Sequence, residues 1–390
     1  MDKRAKKLTE IVVDYSLNIN SSDVLLVRSE DTFTDFACEI GSLAGKRGAS
    51  VMYDFFNINE RRKLIEENNE KNLRWEAKKL CDMAEVATAS VCIDPVSNPD
   101  YLLGVNPDKI ANHTKLVMKP LNDRIVGNGK EFTGLKWNLV AYPCEGEARN
   151  AGMTMREYSD FIFSATNIDW KTLRASMGKI KSTFDNAKEV HIIVPGQTDI
   201  YFSLDGRGGG ICDGKYNMPD GEVFYCPLED SANGEIYFPY ESMRNGQRVL
   251  GIRLKYKHGQ VTDFSAKQGQ KFLESMLNLN GAKRIGEFGI GCNSGISRYV
   301  KNLLFDEKLG GTIHLAIGES YSMPLDVGGG KNESDIHWDL VCDLRPTAFS
   351  KGGEIYVDGK MVQSRGMWMK DIDKYYQKNN GAPHLKRCDL

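Results

Sequence analysis

The sequence predicts an α/β protein in two parts: an N-terminal α/β domain with a mostly parallel sheet, residues 1–188, and a C-terminal domain of mixed α+β structure, residues 189–390. Three observations carry this. Up to about residue 186, short apolar runs alternate with amphipathic helical patterns. From about residue 190 the chain becomes rich in glycine and in β-branched and aromatic runs. Its 390 residues, 41% of them hydrophobic, suffice for two ordinary cores.

In the first part, "DVLLVRS" (23–29) is expected as a buried strand, "FTDFACEIGSLAGKRG" (33–48) as a helix stopped by Gly48, and "SVMYDF" (50–55) as a second strand. A helical stretch, "LIEENNEKNLRWEAKKLCDMA" (64–84), leads into strands within "AEVATASVCID" (84–94) and "GKEFTGLKWNLVAYP" (129–143). Such alternation favours a parallel sheet covered on both faces. The helical pattern "WKTLRASMGKIKSTFDNAK" ends this part, placing the boundary near 186–190. Beyond it, "KEVHIIVPG", "GEIYFPY", "QRVLGIRLKYKHGQVTDFS" and "GGEIYVDGK" read as antiparallel segments whose turns are marked by glycine and "NG". One amphipathic helix, about 266–280, interrupts them.

Charge and cysteine usage narrow the function. With 51 basic and 53 acidic residues the net charge is -2, which lacks the basic excess that nucleic acid binding requires. The N-terminus is charged where a signal peptide needs an apolar core, and no run of about 18 apolar residues occurs, so no membrane association is expected and the location is read as cytoplasmic. The nine cysteines are scattered without a CxxC pair and read as reduced core residues; any metal is then expected on oxygen and nitrogen.

Three segments share a pattern that points to such a metal. Alternate residues of a strand face opposite sides. In "IHWDL", Ile336, Trp338 and Leu340 form one face and leave His337 and Asp339 together on the other. In "TIHLAIG", His314 shares its face with the small residues Ala316 and Gly318; in "GEFGIG", Glu287 lies beside Gly289 and Gly291. In "NMPDGEVFYCP", the turn-forming "PDG" delivers Glu222 into the start of a strand. Imidazoles and carboxylates on faces kept open by small residues suit zinc, cobalt or manganese, and two such ions commonly share a carboxylate. Taken singly, each histidine reads as a satisfied core or edge residue and Glu222 and Glu287 as solvated surface carboxylates, and the H-x-D pair alone fits an exposed strand face equally well. No compact motif such as HExxH joins them.

Other signals are weaker. "DGRGGGICDGK" (205–215) and "GGGK" (328–331) read as loops because neither has P-loop spacing. No GxSxG elbow presents a serine, and nothing local pairs Cys226 or Cys292 with a histidine. His113, His191, His258 and His384 are placed in charged loops or at strand ends and given no role.

The blocks "NMPDGEVFYCPLEDSANGEIYF", "IGEFGIGCN", "LFDEKLGGTIHLAIGESY" and "GGKNESDIHWDLVCDLR" together resemble the thermophilic aminopeptidase family, dinuclear metallopeptidases of the aminopeptidase T and S type. The likeness is strongest from about 200 to 360, and the first half matches in α/β character and length only. It implies that Glu222, Glu287, His314, His337 and Asp339 hold two divalent metal ions and that Tyr321, seven positions after His314, is the catalytic tyrosine. Cys226 stands where a small residue such as alanine is expected.

On this resemblance the C-terminal domain is catalytic, and the protein is a metal-dependent aminopeptidase acting on short peptide substrates. Two ions lower the pKa of a bridging water and provide a hydroxide near neutral pH, while Tyr321 donates to the developing oxyanion. Glu319 and Glu333 are considered as general acid/base groups. The family also implies a homodimer enclosing a cavity. The alternatives are a metal-dependent hydrolase of a non-peptide amide and a metal-binding scaffold without turnover.

Overall fold

The computed structural model describes residues 2–67, 69–94, 96–127, 135–244, 247–321, 329–348 and 350–373. The strands, in chain order, are β1 (Val24–Glu30), β2 (Ser50–Phe56), β3 (Ala89–Asp94), β4 (Lys136–Ala141), β5 (Val190–Val194), β6 (Thr198–Phe202), β7 (Gly210–Cys212), β8 (Asn217–Met218), β9 (Glu222–Tyr225), β10 (Asn233–Arg244), β11 (Gln247–Lys257), β12 (Gln260–Ser265), β13 (Ile285–Gly291), β14 (Thr312–Gly318), β15 (His337–Asp343), β16 (Glu354–Val357), β17 (Lys360–Ser364) and β18 (Met367–Trp368). They form a five-stranded sheet β2-β1-β3-β4-β8, an eight-stranded sheet β12-β11-β10-β6-β5-β16-β17-β18 and a second five-stranded sheet β15-β14-β13-β9-β7. The chain divides into two compact units, Met1–Ile168 with Gly214–Pro219, and Asp169–Asp213 with Asp220–Leu390. None of the described helices is long and apolar enough to cross a membrane.

The first unit has the expected α/β architecture, with every strand pairing in its sheet parallel. Two elements differ from expectation. The helical stretch 64–84 is two helices, Ile58–Glu67 and Glu70–Val86, because the Asn69 side chain caps the second by accepting from the Asn72 N–H. That helix also absorbs Ala84–Val86, leaving the strand to begin at Ala89. Its Leu73, Ala77, Leu80 and Ala84 recur at helical spacing and pack against Val117, Leu121, Ile125 and Leu135, so continuing the helix buries one more apolar side chain. Of the strand sought in 129–143, β4 is observed, and residues 128–134 lie outside the described residues. His113 is not in a loop: it closes the helix Pro107–His113, buried, with Nε2 3.9 Å from Glu76.

The second unit holds the helix Trp170–Phe184, the helix Gln270–Leu277 within the expected 266–280, and the two antiparallel sheets. His191 lies within β5 rather than at a strand end. The apolar faces of the sheets meet: the Phe202 and Phe288 rings are 5.0 Å apart, and Trp338 Nε1 donates to Ser242 Oγ at 2.8 Å. Phe288, Ile290, Ile313, Leu315, Ile336, Trp338 and Leu340 are all buried, as alternation requires. Each contributes about 1.5–3 kcal/mol on leaving water. The eight cysteines among the described residues are free; Cys38 is exposed on the helix Thr34–Lys46, and Cys388 lies outside the described residues.

Candidate metal centre

β15, β14, β13 and β9 are consecutive neighbours, and their register explains why their polar faces converge. Across the antiparallel pairs, His314 stands opposite Gly289, Glu287 and Asp339 both stand opposite Ala316, His337 opposite Gly318, and Glu222 opposite Gly291. Each candidate ligand therefore has a small residue as its cross-strand partner, which leaves room for imidazole and carboxylate side chains to reach one another. At Gly289 the requirement is steric: a Cβ there would lie 1.9 Å from His314 Nε2. At the start of β9, Gly221 adopts φ +117°, a conformation that favours glycine, immediately before Glu222.

The five side chains meet as two overlapping triads, Glu222–Glu287–His314 and Glu287–His337–Asp339, each with one ligand atom per residue within 4.8 Å of the others. Glu287 is common to both. Its Oε1 is 3.3 Å from His314 Nε2 and its Oε2 is 3.3 Å from His337 Nε2. His337 Nε2 is also 3.3 Å from Asp339 Oδ1, and His314 Nε2 is 3.5 Å from Glu222 Oε2. The other ring nitrogens face backbone carbonyls: His314 Nδ1 lies 3.0 Å from the Glu307 oxygen and His337 Nδ1 2.8 Å from the Glu319 oxygen. A carbonyl only accepts, so both Nδ1 atoms carry a proton, and both Nε2 atoms face the cluster, where they would present their lone pairs to an ion.

This set of carboxylates and imidazoles fits a divalent metal. Glu222 Oε2 is buried without a hydrogen-bond donor among the described residues, a costly arrangement that a cation relieves. Without an ion the charges balance by proton uptake. Burial raises the Glu222 carboxyl to about 8. Burial opposes charge on His314, but hydrogen bonding to Glu287 and the field of Glu222 outweigh it and lift the imidazole to about 9. His337 is likewise lifted against burial, by Asp339 and Glu287, to about 12. Burial would raise Glu287, but the two imidazoles hold it well below the usual carboxylate range.

Tyr321 lies beside this cluster, its ring centroid 5.2 Å from that of His337 and 5.4 Å from that of Phe224. At 43% exposure it remains open to a ligand. The phenol is held well above its ordinary range by the Glu287 carboxylate first and by burial second. Cys226 is buried behind it, with Sγ 3.7 Å from the Tyr321 carbonyl oxygen. The carboxylates of Glu319 and Glu333 are not brought into the cluster. That of Glu319 accepts from the Ser334 N–H, and its backbone oxygen is the part that faces His337; Glu333 is exposed.

Sequence reasoning missed Glu307 and Lys308. Lys308 is fully buried, with Nζ against the Glu307 carboxylate and 3.8 Å from Glu222 Oε1. A further group of potential ligands, Cys212, Asp220 and Glu222, adjoins the first triad. Burial pushes its thiol well above the ordinary range, and Lys308 already supplies a cation beside its carboxylates. The only sequence signal was an adjacent Glu-Lys pair between the apolar Phe305 and Leu309, in a segment that reads as a surface turn.

The family model for thermophilic metalloproteases (M29) matches residues 1–368. Aminopeptidase 2 of Geobacillus stearothermophilus is 26% identical over 401 aligned residues, covering 90% of this chain and 95% of the relative. Aminopeptidase T of Thermus thermophilus is 25% identical over 429 aligned residues, covering 99% and 98%. The solved structure of wild-type AmpT from Thermus thermophilus superposes with a TM-score of 0.78 at 22% identity, covering 94% of this chain and 99% of that one, which establishes the shared fold. The chain belongs to the thermophilic metalloprotease (M29) family.

Proposed function

We propose that this protein is a metal-dependent aminopeptidase whose centre takes two divalent ions, zinc, cobalt or manganese, one at Glu222, Glu287 and His314 and the other at Glu287, His337 and Asp339. The observation that carries this reading is the shared Glu287, whose two oxygens face different imidazoles at 3.3 Å. Ions bound there supply Lewis acidity and acidify water. The protein's part is to hold that chemistry in place. The Glu307 and Glu319 carbonyls fix both imidazole tautomers, and the sheet register keeps the carboxylates from swinging apart. Tyr321, exposed beside His337, is positioned to donate a hydrogen bond to charge developing on a carbonyl oxygen. A free α-amino group held at one of these ions, or by a carboxylate beside it, would confine cleavage to the first residue of short peptides.

The named relatives support the aminopeptidase reading over a non-peptide amidase or an inert scaffold. The same family resemblance supports a cytoplasmic homodimer, which sedimentation would test. The functional test is hydrolysis of leucyl anilide by metal-stripped protein before and after adding zinc, cobalt or manganese, with the N-acetylated substrate alongside. Metal-dependent release that acetylation abolishes is expected. Continued cleavage of the acetylated substrate would favour an amidase, and inactivity with every metal would favour the scaffold.

A further inference from the structure

Lys308 has no exposed surface, yet it carries a charge next to a proposed metal ligand. Its position is fixed from both sides of the backbone. The Lys308 N–H donates to the Phe305 carbonyl at 3.0 Å, and its own carbonyl accepts from the Asn293 N–H at 3.0 Å. The side chain reaches inward, with Nζ against the Glu307 carboxylate and 3.8 Å from Glu222 Oε1, and the buried Asp220 adds its field. A dry ammonium of this kind is tolerated only because carboxylates surround it.

The two proposed metal positions are therefore electrostatically different. Glu222 turns Oε1 toward Lys308 and has Oε2 free of hydrogen-bond donors among the described residues, so one carboxylate would serve the ammonium and the ion together. Near the other position, among the described residues, lies Arg244, which is half-buried and donates to the His337 backbone carbonyl at 2.6 Å. Its field reaches Asp339, but that bond takes up no proposed ligand oxygen.

We infer that Lys308 is a built-in cation that sets the two metal positions apart: by sharing Glu222 it weakens divalent-ion binding at Glu222–Glu287–His314 relative to Glu287–His337–Asp339, so that the ions load in two separated steps. This rests on the dinuclear reading above. Lys308 is here a positioning residue that acts through Glu222.

The experiment is calorimetric titration of metal-stripped, full-length protein with zinc, with bound ions counted by elemental analysis. The wild type should load in two steps at least about tenfold apart in affinity, the scale at which groups behind a ligand tune a site. Glu222→Gln should remove the weaker step and Asp339→Asn the tighter one. Lys308→Met should tighten the weaker step by about tenfold or more and leave the tighter step within about threefold, whereas Lys308→Arg should preserve the separation. Two ions loading with equal affinity in the wild type, loss of the tighter step in Glu222→Gln, or a weaker second step in folded Lys308→Met would each overturn the inference. If Lys308→Met fails to fold, the wild-type, Glu222→Gln and Asp339→Asn titrations still decide it. Zinc uptake that Glu287→Gln leaves untouched would instead show that the dinuclear reading itself is wrong.

Discussion

Replacing Gly289 by alanine tests the packing that keeps the centre open. The new Cβ would lie 1.9 Å from His314 Nε2 and 2.0 Å from Cε1, where ordinary contact begins at 3.4 Å, so the ring must retreat by about 1.5 Å (3.4 − 1.9). Gly289 lies within β13 and is not among the glycines with positive φ, so the backbone itself accepts alanine. His314 can withdraw only by leaving its rotamer, at about 0.5–1.5 kcal/mol, within a total overpacking cost of about 1–3 kcal/mol. The protein should therefore fold with a modest loss of stability. If His314 holds an ion as proposed, a nitrogen displaced by about 1.5 Å is far outside the roughly 0.2 Å tolerance of a metal bond, so affinity at that position should fall by about 100-fold or more. Thermal melts followed by circular dichroism give the first quantity, and zinc titration of the stripped protein gives the second. A folded Gly289→Ala protein with undiminished zinc binding and activity would refute the reasoning, because His314 could not then depend on the space that Gly289 provides.

Other expectations follow from the same geometry. Tyr321→Phe should retain both ions while kcat falls by about 10²–10³, read by pairing metal analysis with anilide hydrolysis. Glu287→Gln, which weakens the charge shared by both triads, should lower affinity for both ions and reduce activity to background even at raised metal. Glu319→Gln should cost little activity, since the part of Glu319 that faces His337 is its backbone carbonyl; a loss comparable to that of Tyr321→Phe would contradict this assignment. In stripped protein His314 is raised from 6.5 to about 9 and Glu222 from 4.5 to about 8. Each raised group contributes stability that is full below its unfolded value and is lost as pH rises through the folded one. The stripped protein should thus lose up to about 3 kcal/mol from His314 alone between about pH 6 and 9, while the increment from added zinc grows; calorimetry in which the zinc increment shrinks over that range would contradict it.

Much of the centre was legible because a strand has a period of two. In "IHWDL" and "TIHLAIG", alternation alone separates the buried Trp338 and Leu315 from the residues that meet at the centre, and the small residues Ala316 and Gly318 mark the open face. The antiparallel character of the second part was likewise written in its β-branched runs and glycine turns. What alternation cannot supply is the partner of a loop residue. Lys308 and Glu307 follow the short helix Leu303–Asp306, and local sequence does not distinguish their burial from a solvated turn. Glu319 and Glu333 are near the proposed ligands in sequence, but the backbone turns the first carboxylate to Ser334 and leaves the second exposed. Strand β8, two residues long, joins the first sheet from within the second half of the chain, and so short a parallel strand leaves no periodic signal.

The most direct measurement is anomalous diffraction at the zinc edge from crystals of the full-length protein saturated with zinc. Two peaks are expected, flanking the Glu287 carboxylate, one against His314 and Glu222 and the other against His337 and Asp339. Peaks elsewhere, or no density at Glu287 under saturating zinc, would contradict the dinuclear centre on which the proposed function stands.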